Sequence, residues 1–163
     1  MSPGIDCVAP SPNLLFGPGA DDSTLLTCLP NRVLVDKVLA HYWQVVDIIV
    51  RTVHRPSFER DYQTFWKNVS IRVENRPSFQ ALLFSVLLIS IISIPEEKVL
   101  ADFGVEKQSL VDSFIQGTES ALARAHLLRT TKLETLQAFV TYLVSIRTVS
   151  VQKSDFSFLI HFH

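Results

Sequence analysis

Cysteine is almost missing from this chain: there are two, Cys7 and Cys28, and neither has another cysteine two to four positions away. Structural zinc sites take their four ligands in closely spaced pairs, so neither residue starts one, and both read as reduced thiols. An excess of positive charge is missing as well, because 15 Lys and Arg stand against 16 Asp and Glu. A surface that displaces counterions from phosphates concentrates cations, so nothing here supports direct DNA contact. The first thirty residues lack a basic start followed by an apolar run, so no signal peptide is expected and the protein should stay inside the cell. A Gly-rich phosphate loop, a nucleophile elbow and a nucleophile–base–orienter set are all wanting, so the sequence offers no reaction and no enzyme is expected. Apolar side chains, by contrast, are plentiful. Hydrophobic residues make up 47% and charged ones 19%, with a mean hydropathy of +0.25, too apolar for a disordered chain and sufficient at 163 residues for one core.

Residues 1–30 hold five of the eight prolines (Pro3, Pro10, Pro12, Pro18, Pro30) and three of the five glycines, and read as a flexible Pro/Gly-rich arm. From Asn31 the pattern changes. Val35, Val38, Leu39, Tyr42, Trp43, Val46 and Ile49 recur every three or four residues, which predicts a helix to about Val50 with these residues on its buried face. His54-Arg55-Pro56-Ser57-Phe58-Glu59 reads as a helix start, with Pro in the first turn and Ser57 as a cap; Phe58, Tyr62, Phe65 and Trp66 share the inner face. The device recurs at Arg76-Pro77-Ser78-Phe79, which opens an apolar run ended by Pro95. Sixteen residues from Phe79 to Ile94, interrupted by Gln80, Ser85, Ser90 and Ser93, are short for a bilayer, so no membrane span is expected and the run predicts a central buried helix.

A short piece at Glu96–Phe103 stops at Gly104. Leu110, Phe114, Ala121, Leu122, Ala125 and Leu128 then mark an amphipathic helix ending near Arg129. Thr131 with Glu134 reads as a capping box for a further helix, whose apolar stripe is Leu133, Leu136, Val140, Leu143 and Val144. Residues 148–163 show no helical period and predict a short strand or a frayed end. The expected fold is all-α, an irregular array of five to six helices with a disordered N-terminal arm, incomplete at the C-terminus.

No residue earns a catalytic, cofactor-binding or metal-binding assignment, and the candidates read better as structure. His54 beside Arg55 has the chemistry of an acid or an anion contact, but reads as a helix-entry turn. His161 and His163 form a His-x-His pair without an acidic or cysteine partner. His41 and His126 are placed within helices. Tyr42, Trp43, Phe58, Tyr62, Phe65 and Trp66 have core spacing rather than that of a ligand cage. Arg124, Arg129 and Lys132 are flanked by Glu119 and Glu134 and read as a solvated mixed-charge face.

Three ordered blocks resemble the regulatory (middle homology) region of fungal zinc binuclear cluster transcription factors, the fungal-specific transcription factor domain. The first is Leu14-Leu15-Phe16-Gly17 with Leu29-Pro30, His41-Tyr42-Trp43 and Val53-His54-Arg55-Pro56-Ser57-Phe58. The second runs from Pro77 to Val86, and the third joins Ala121-Leu122-Ala123-Arg124-Ala125 to Leu133-Glu134-Thr135-Leu136-Gln137-Ala138. They cover about residues 14–147. The resemblance implies a nuclear role in regulating transcription, with zinc and DNA bound by a six-cysteine cluster that this chain does not carry, and no cofactor in the chain itself. Residues 31–147 are expected to be a partial regulatory domain, truncated, with residues 148–163 a non-matching tail. Losing covering helices would leave the Phe79–Ile94 helix exposed, which predicts marginal stability and protein partners or self-association through apolar helix faces. The alternative is a stand-alone helical interaction module that modulates related regulators.

Overall fold

A computed structural model describes residues 22–161, with side-chain surroundings for residues 25–152. Helix α1 (Asp22–Thr27) is followed by α2 (Arg32–His41), a π-helical turn (Tyr42–Val46) and α3 (Asp47–Ile49). Then come α4 (Arg55–Ser70), α5 (Pro77–Ser93), α6 (Glu96–Phe103), α7 (Lys107–Arg124), a 3-10 turn (Leu127–Arg129) and α8 (Leu133–His161). The described residues are all helix and connecting turns. Of the arm expected over residues 1–30, the part before Asp22 lies outside the described residues; Asp22–Thr27 is a helix whose Leu25 is buried.

Helix α5 is the axis of the fold. Every residue from Ser78 to Ile92 is buried, with α7 and α8 packed along it and α2 and the π turn on another side. A helix that is apolar all round needs cover on all sides, and this one has it within the chain; the exposure anticipated for it does not occur. Two of its three buried serines bond within their own helix, Ser85 Oγ to the Leu82 carbonyl at 2.8 Å and Ser90 Oγ to that of Val86 at 2.6 Å. Burying these two therefore strands no hydroxyl, whereas that of Ser78, in the first turn, is buried without a partner. Lys107 closes the C-terminal end, its Nζ donating to the carbonyls of Ile92 at 2.9 Å and Ile94 at 2.8 Å. Among the described residues no single helix is long and apolar enough to cross a membrane; α5 and α6 pass that test only as a pair bent by 114°.

Both Arg-Pro starts occur as expected, with Pro56 and Pro77 in the first turns of α4 and α5. Ser57, however, caps nothing: it stands inside the first turn, and its hydroxyl lies 2.8 Å from Nδ1 of His54, the extended residue at the helix boundary. The side-chain cap that does form is Asn31, whose Oδ1 accepts from the Leu34 amide at 2.9 Å. Gly104 ends α6 in the left-handed conformation, φ 67°, where a residue without Cβ is favoured.

The first helix departs from its predicted face at the π turn. A π turn holds about one more residue than an α turn, so the residues beyond it are rotated by roughly 100°. Ile49, expected on the buried face, is 79% exposed. His126 is not within a helix: at φ 53° it separates α7 from the 3-10 turn, so α7 ends at Arg124 rather than near Arg129.

Helix α8 carries the largest corrections. The expected capping box is absent: the helix begins at Leu133, Thr130 Oγ1 accepts from the Lys132 amide at 3.1 Å, and the Glu134 carboxylate turns to Arg76, 3.0 Å away. The strand or frayed end expected from residue 148 is a continuation of this helix to His161. Its inner face is also not the predicted one. Leu133, Leu136, Val140, Leu143 and Val144 are exposed, and the buried residues are Thr135, Ala138, Thr141, Tyr142, Ser145, Ile146 and Val149. Small residues and hydroxyls let the helix lie close to α5, and two of the hydroxyls bond internally, Thr141 Oγ1 to the Gln137 carbonyl at 2.8 Å and Ser145 Oγ to that of Thr141 at 2.7 Å, while that of Thr135 is buried without a partner. A face that looks polar in the sequence is thereby buried with the hydroxyls of Thr141 and Ser145 satisfied. Val149 extends that face.

Candidate functional site

The rings that punctuate the first half of the chain stack into one core. Trp43 meets Phe58 at 5.6 Å between centroids, Phe58 meets Phe79 at 5.4 Å, and Phe65 meets Phe79 at 6.0 Å and Trp66 at 5.3 Å. Mostly edge-on and tilted contacts of this kind join the π turn, α4 and α5. Core spacing was the right reading of this group, except that Trp43 and Trp66 are only half-buried. Trp66 lies on the surface side with the Arg32 guanidinium 5.7 Å from its ring.

A groove of about 560 Å³ opens over this cluster between α2 and α4. Four of its polar residues are engaged in pairs. Arg55 Nε donates to Glu59 Oε1 at 2.7 Å, and its guanidinium sits 5.0 Å over the Trp43 ring; the Tyr62 hydroxyl donates to Asp36. His54 faces Ser57 instead of joining Arg55. The acid or anion candidate is thus a helix-entry turn. His41 bonds the Ser93 hydroxyl at 2.8 Å, and burial, with Lys98 nearby, pushes its pKa down. The side chains of His161 and His163, and all of Cys7, lie outside the described residues. Cys28 is half-buried, and burial pushes its thiol up. Among the described residues no group of three or more His, Cys, Asp or Glu is placed to hold a metal ion.

The charges around α8 are arranged differently from the mixed face expected. Arg124 is not a surface cation: it reaches Gln80 Oε1 at 2.8 Å and Glu74 Oε1 at 2.5 Å, and its side chain is only 12% exposed. Glu119 accepts from the buried Tyr142 hydroxyl at 2.5 Å, and Glu134 pairs with Arg76, which also reaches Asp61 at 3.2 Å. Both flanking carboxylates are therefore turned to structural partners. Arg129, Lys132 and Arg147 are exposed beside Leu133, at 69% exposure, Leu136, Val140 at 49%, Leu143 and Val144. Among the described residues this is an apolar helix face with a basic rim, and large apolar patches rimmed by polar groups mark interaction sites. Sequence reasoning named the five apolar residues but placed them inside, and it had Arg129 and Lys132 on a solvated face.

The same ties make a prediction about alkali. All three tyrosines in the chain have raised pKa values: Tyr42 to about 12, chiefly by burial and also by Asp47, Tyr62 by burial and the Asp36 carboxylate, and Tyr142 by burial and Glu119. A folded-state value above the unfolded one means that the contribution is complete below the ordinary value of 10.0. It is lost as pH rises through the folded values. Titration is expected to show tyrosinate absorbance and loss of helical circular dichroism in one coincident step above that value. Tyrosinate forming at its ordinary pH in a chain that stays helical would contradict the placement of these hydroxyls.

Comparison with known proteins gives the surface its context. The chain is 29% identical over 138 residues to the transcriptional regulator AacuB of Aspergillus aculeatus, covering 83% of this chain and 18% of that protein. It is 31% identical over 120 residues to the C6 finger domain transcription factor adaR of Aspergillus niger, covering 74% and 15%. It is 30% identical over 112 residues to the aurofusarin cluster transcription factor aurR2 of Gibberella zeae, covering 66% and 16%. The chain thus spans less than a fifth of the length of these relatives. No family profile matches it, and no solved structure does. With two cysteines it has no six-cysteine cluster of its own. On these alignments, and with an all-helical fold, the chain belongs to the fungal zinc-cluster transcription factor family, in which it corresponds to the helical middle homology region.

Proposed function

We propose that this chain is a regulatory module of a fungal transcription factor, working in the nucleus through contacts with proteins, while DNA is bound by a zinc cluster that the chain does not contain. The module is residues 31–147 together with the helix that continues past them. The observation that carries this reading is the exposed apolar face of α8 in a chain whose relatives are named as transcription regulators. It is supported by the near-neutral charge, which does not favour phosphate binding. A non-enzymatic role accords with the groove over the aromatic core, where Arg55 is taken up by Glu59 and Asp36 accepts from Tyr62.

The test is a fusion of residues 1–163 to an unrelated DNA-binding domain, read on a reporter gene. The fusion is expected to change reporter output relative to the DNA-binding domain alone, and Leu136→Glu with Leu143→Glu to cancel the change. A fluorescent fusion should collect in nuclei, and the isolated chain should leave a DNA fragment unshifted in a gel. Unchanged reporter output, or a DNA shift by the chain alone, would sink the proposal.

A further inference from the structure

Leu133, Leu136, Val140 and Leu143 are spaced by three, four and three residues, and all are exposed. This is a 3.5-residue repeat, the spacing with which one helix meets another running alongside at a shallow angle. The next position in the repeat is Arg147, which is exposed, as are Arg129 and Lys132 at the other end. Between residues 127 and 152 the single carboxylate is Glu134, and it is held by Arg76. Among the described residues of the helix, the seam is therefore apolar along its middle and flanked by exposed cations.

A second copy fits this seam poorly. Antiparallel pairing centred on Val140 sets each Arg147 over the other copy's Leu133 and beside its Lys132, and parallel pairing sets Arg147 against Arg147. Like charges brought together at an interface are unfavourable, whereas opposite charges at the rim speed and orient association. We propose that the outer face of α8 binds an amphipathic helix of another protein, apolar on one side and carrying carboxylates along its flanks. This rests on the reading of the chain as a protein-contact module and names the chemistry of its partner.

The probe is a short fluorescent peptide of two heptads with leucine at the seam positions and glutamate on the flanks, compared with the same peptide carrying lysine on the flanks. By anisotropy the full chain is expected to prefer the acidic peptide by about tenfold or more, with added salt weakening the binding. Arg129→Glu, Lys132→Glu and Arg147→Glu together should reverse the preference without touching apolar packing. Leu136→Glu with Leu143→Glu should abolish binding while helical circular dichroism is kept. Equal binding of the two peptides, or binding of neither, overturns the proposal. So does uptake of the chain through this face by vesicles of anionic lipid, or a dimer in sedimentation that the double leucine variant dissolves. If the peptide preference fails while the reporter effect persists and still depends on Leu136 and Leu143, the regulatory reading stands and only the acidic partner falls.

Discussion

Phe65→Ala is expected to lower the stability of the chain by about 3–5 kcal/mol, as truncation of a fully buried aromatic does. The ring is 2% exposed and lies between Phe79, at the start of α5, and Trp66, so its removal opens a cavity where α4 joins the central helix. Such a loss is a large part of a typical total of about 5–15 kcal/mol. Trp66→Ala is the informative companion. Sequence periodicity puts both residues on the inner face, which predicts a comparable loss of about 3 kcal/mol for the tryptophan. In the fold Trp66 is half-buried under Arg32, and a loss of about 1–2 kcal/mol is expected, because less area leaves water. Chemical denaturation of the two variants decides the matter: equal losses would mean that Trp66 is buried as deeply as its neighbour.

Gly117→Val is expected to cost about 3 kcal/mol or more, against the ordinary rule that glycine weakens a helix interior. A Cβ built at Gly117 lies 2.5 Å, 2.6 Å and 2.9 Å from three ring carbons of Phe84. That ring is buried, so it has little room to swing away. Here α7 and α5 approach as closely as they do because one of them has no side chain. Gly117→Ala gains about 1 kcal/mol of helix propensity and still should lose net stability. Phe84→Leu should partly rescue it, giving a coupling of about 1 kcal/mol or more in a double-mutant cycle. Independent, additive effects at the two positions would show that the helices are not in this contact.

Both expectations depend on packing that local pattern does not display. Gly117 sits in a stretch that reads as an ordinary amphipathic helix, and nothing near it in the sequence names Phe84, thirty-three positions away. The six aromatics were legible as core because their spacing follows the helix, whereas the degree of burial of each Trp depends on which neighbour covers it. The groove beside them was not foreseen, since it is made by the approach of α2 to α4.

The interaction face was legible in composition and misread in direction. Helix α8 offers two faces that could go inward: a Leu/Val stripe, and a stripe of Thr, Ala, Ser, Tyr and Ile. Counting apolar residues selects the first. Helix α5 selects the second, because small side chains permit close approach and the hydroxyls of Thr141 and Ser145 are satisfied within the helix. The charges went the same way, since Glu119 and Glu134 neutralise the surface on paper and in the fold are drawn to Tyr142 and Arg76.

The sequence by itself determined whatever depends on neighbours along the chain. That includes the helical period, the two Arg-Pro starts, the stop at Gly104, the need of the Phe79–Ile94 run for cover on every side, and the want of cysteines for a zinc cluster. Direction was decided only by the tertiary structure. The π turn rotated Ile49 outward, α5 chose the inner face of α8, and partners distant in sequence took the carboxylates inward. The reason is physical: periodicity reports that a face can be buried, while which face is buried depends on the shape and hydrogen bonding of the surface that meets it.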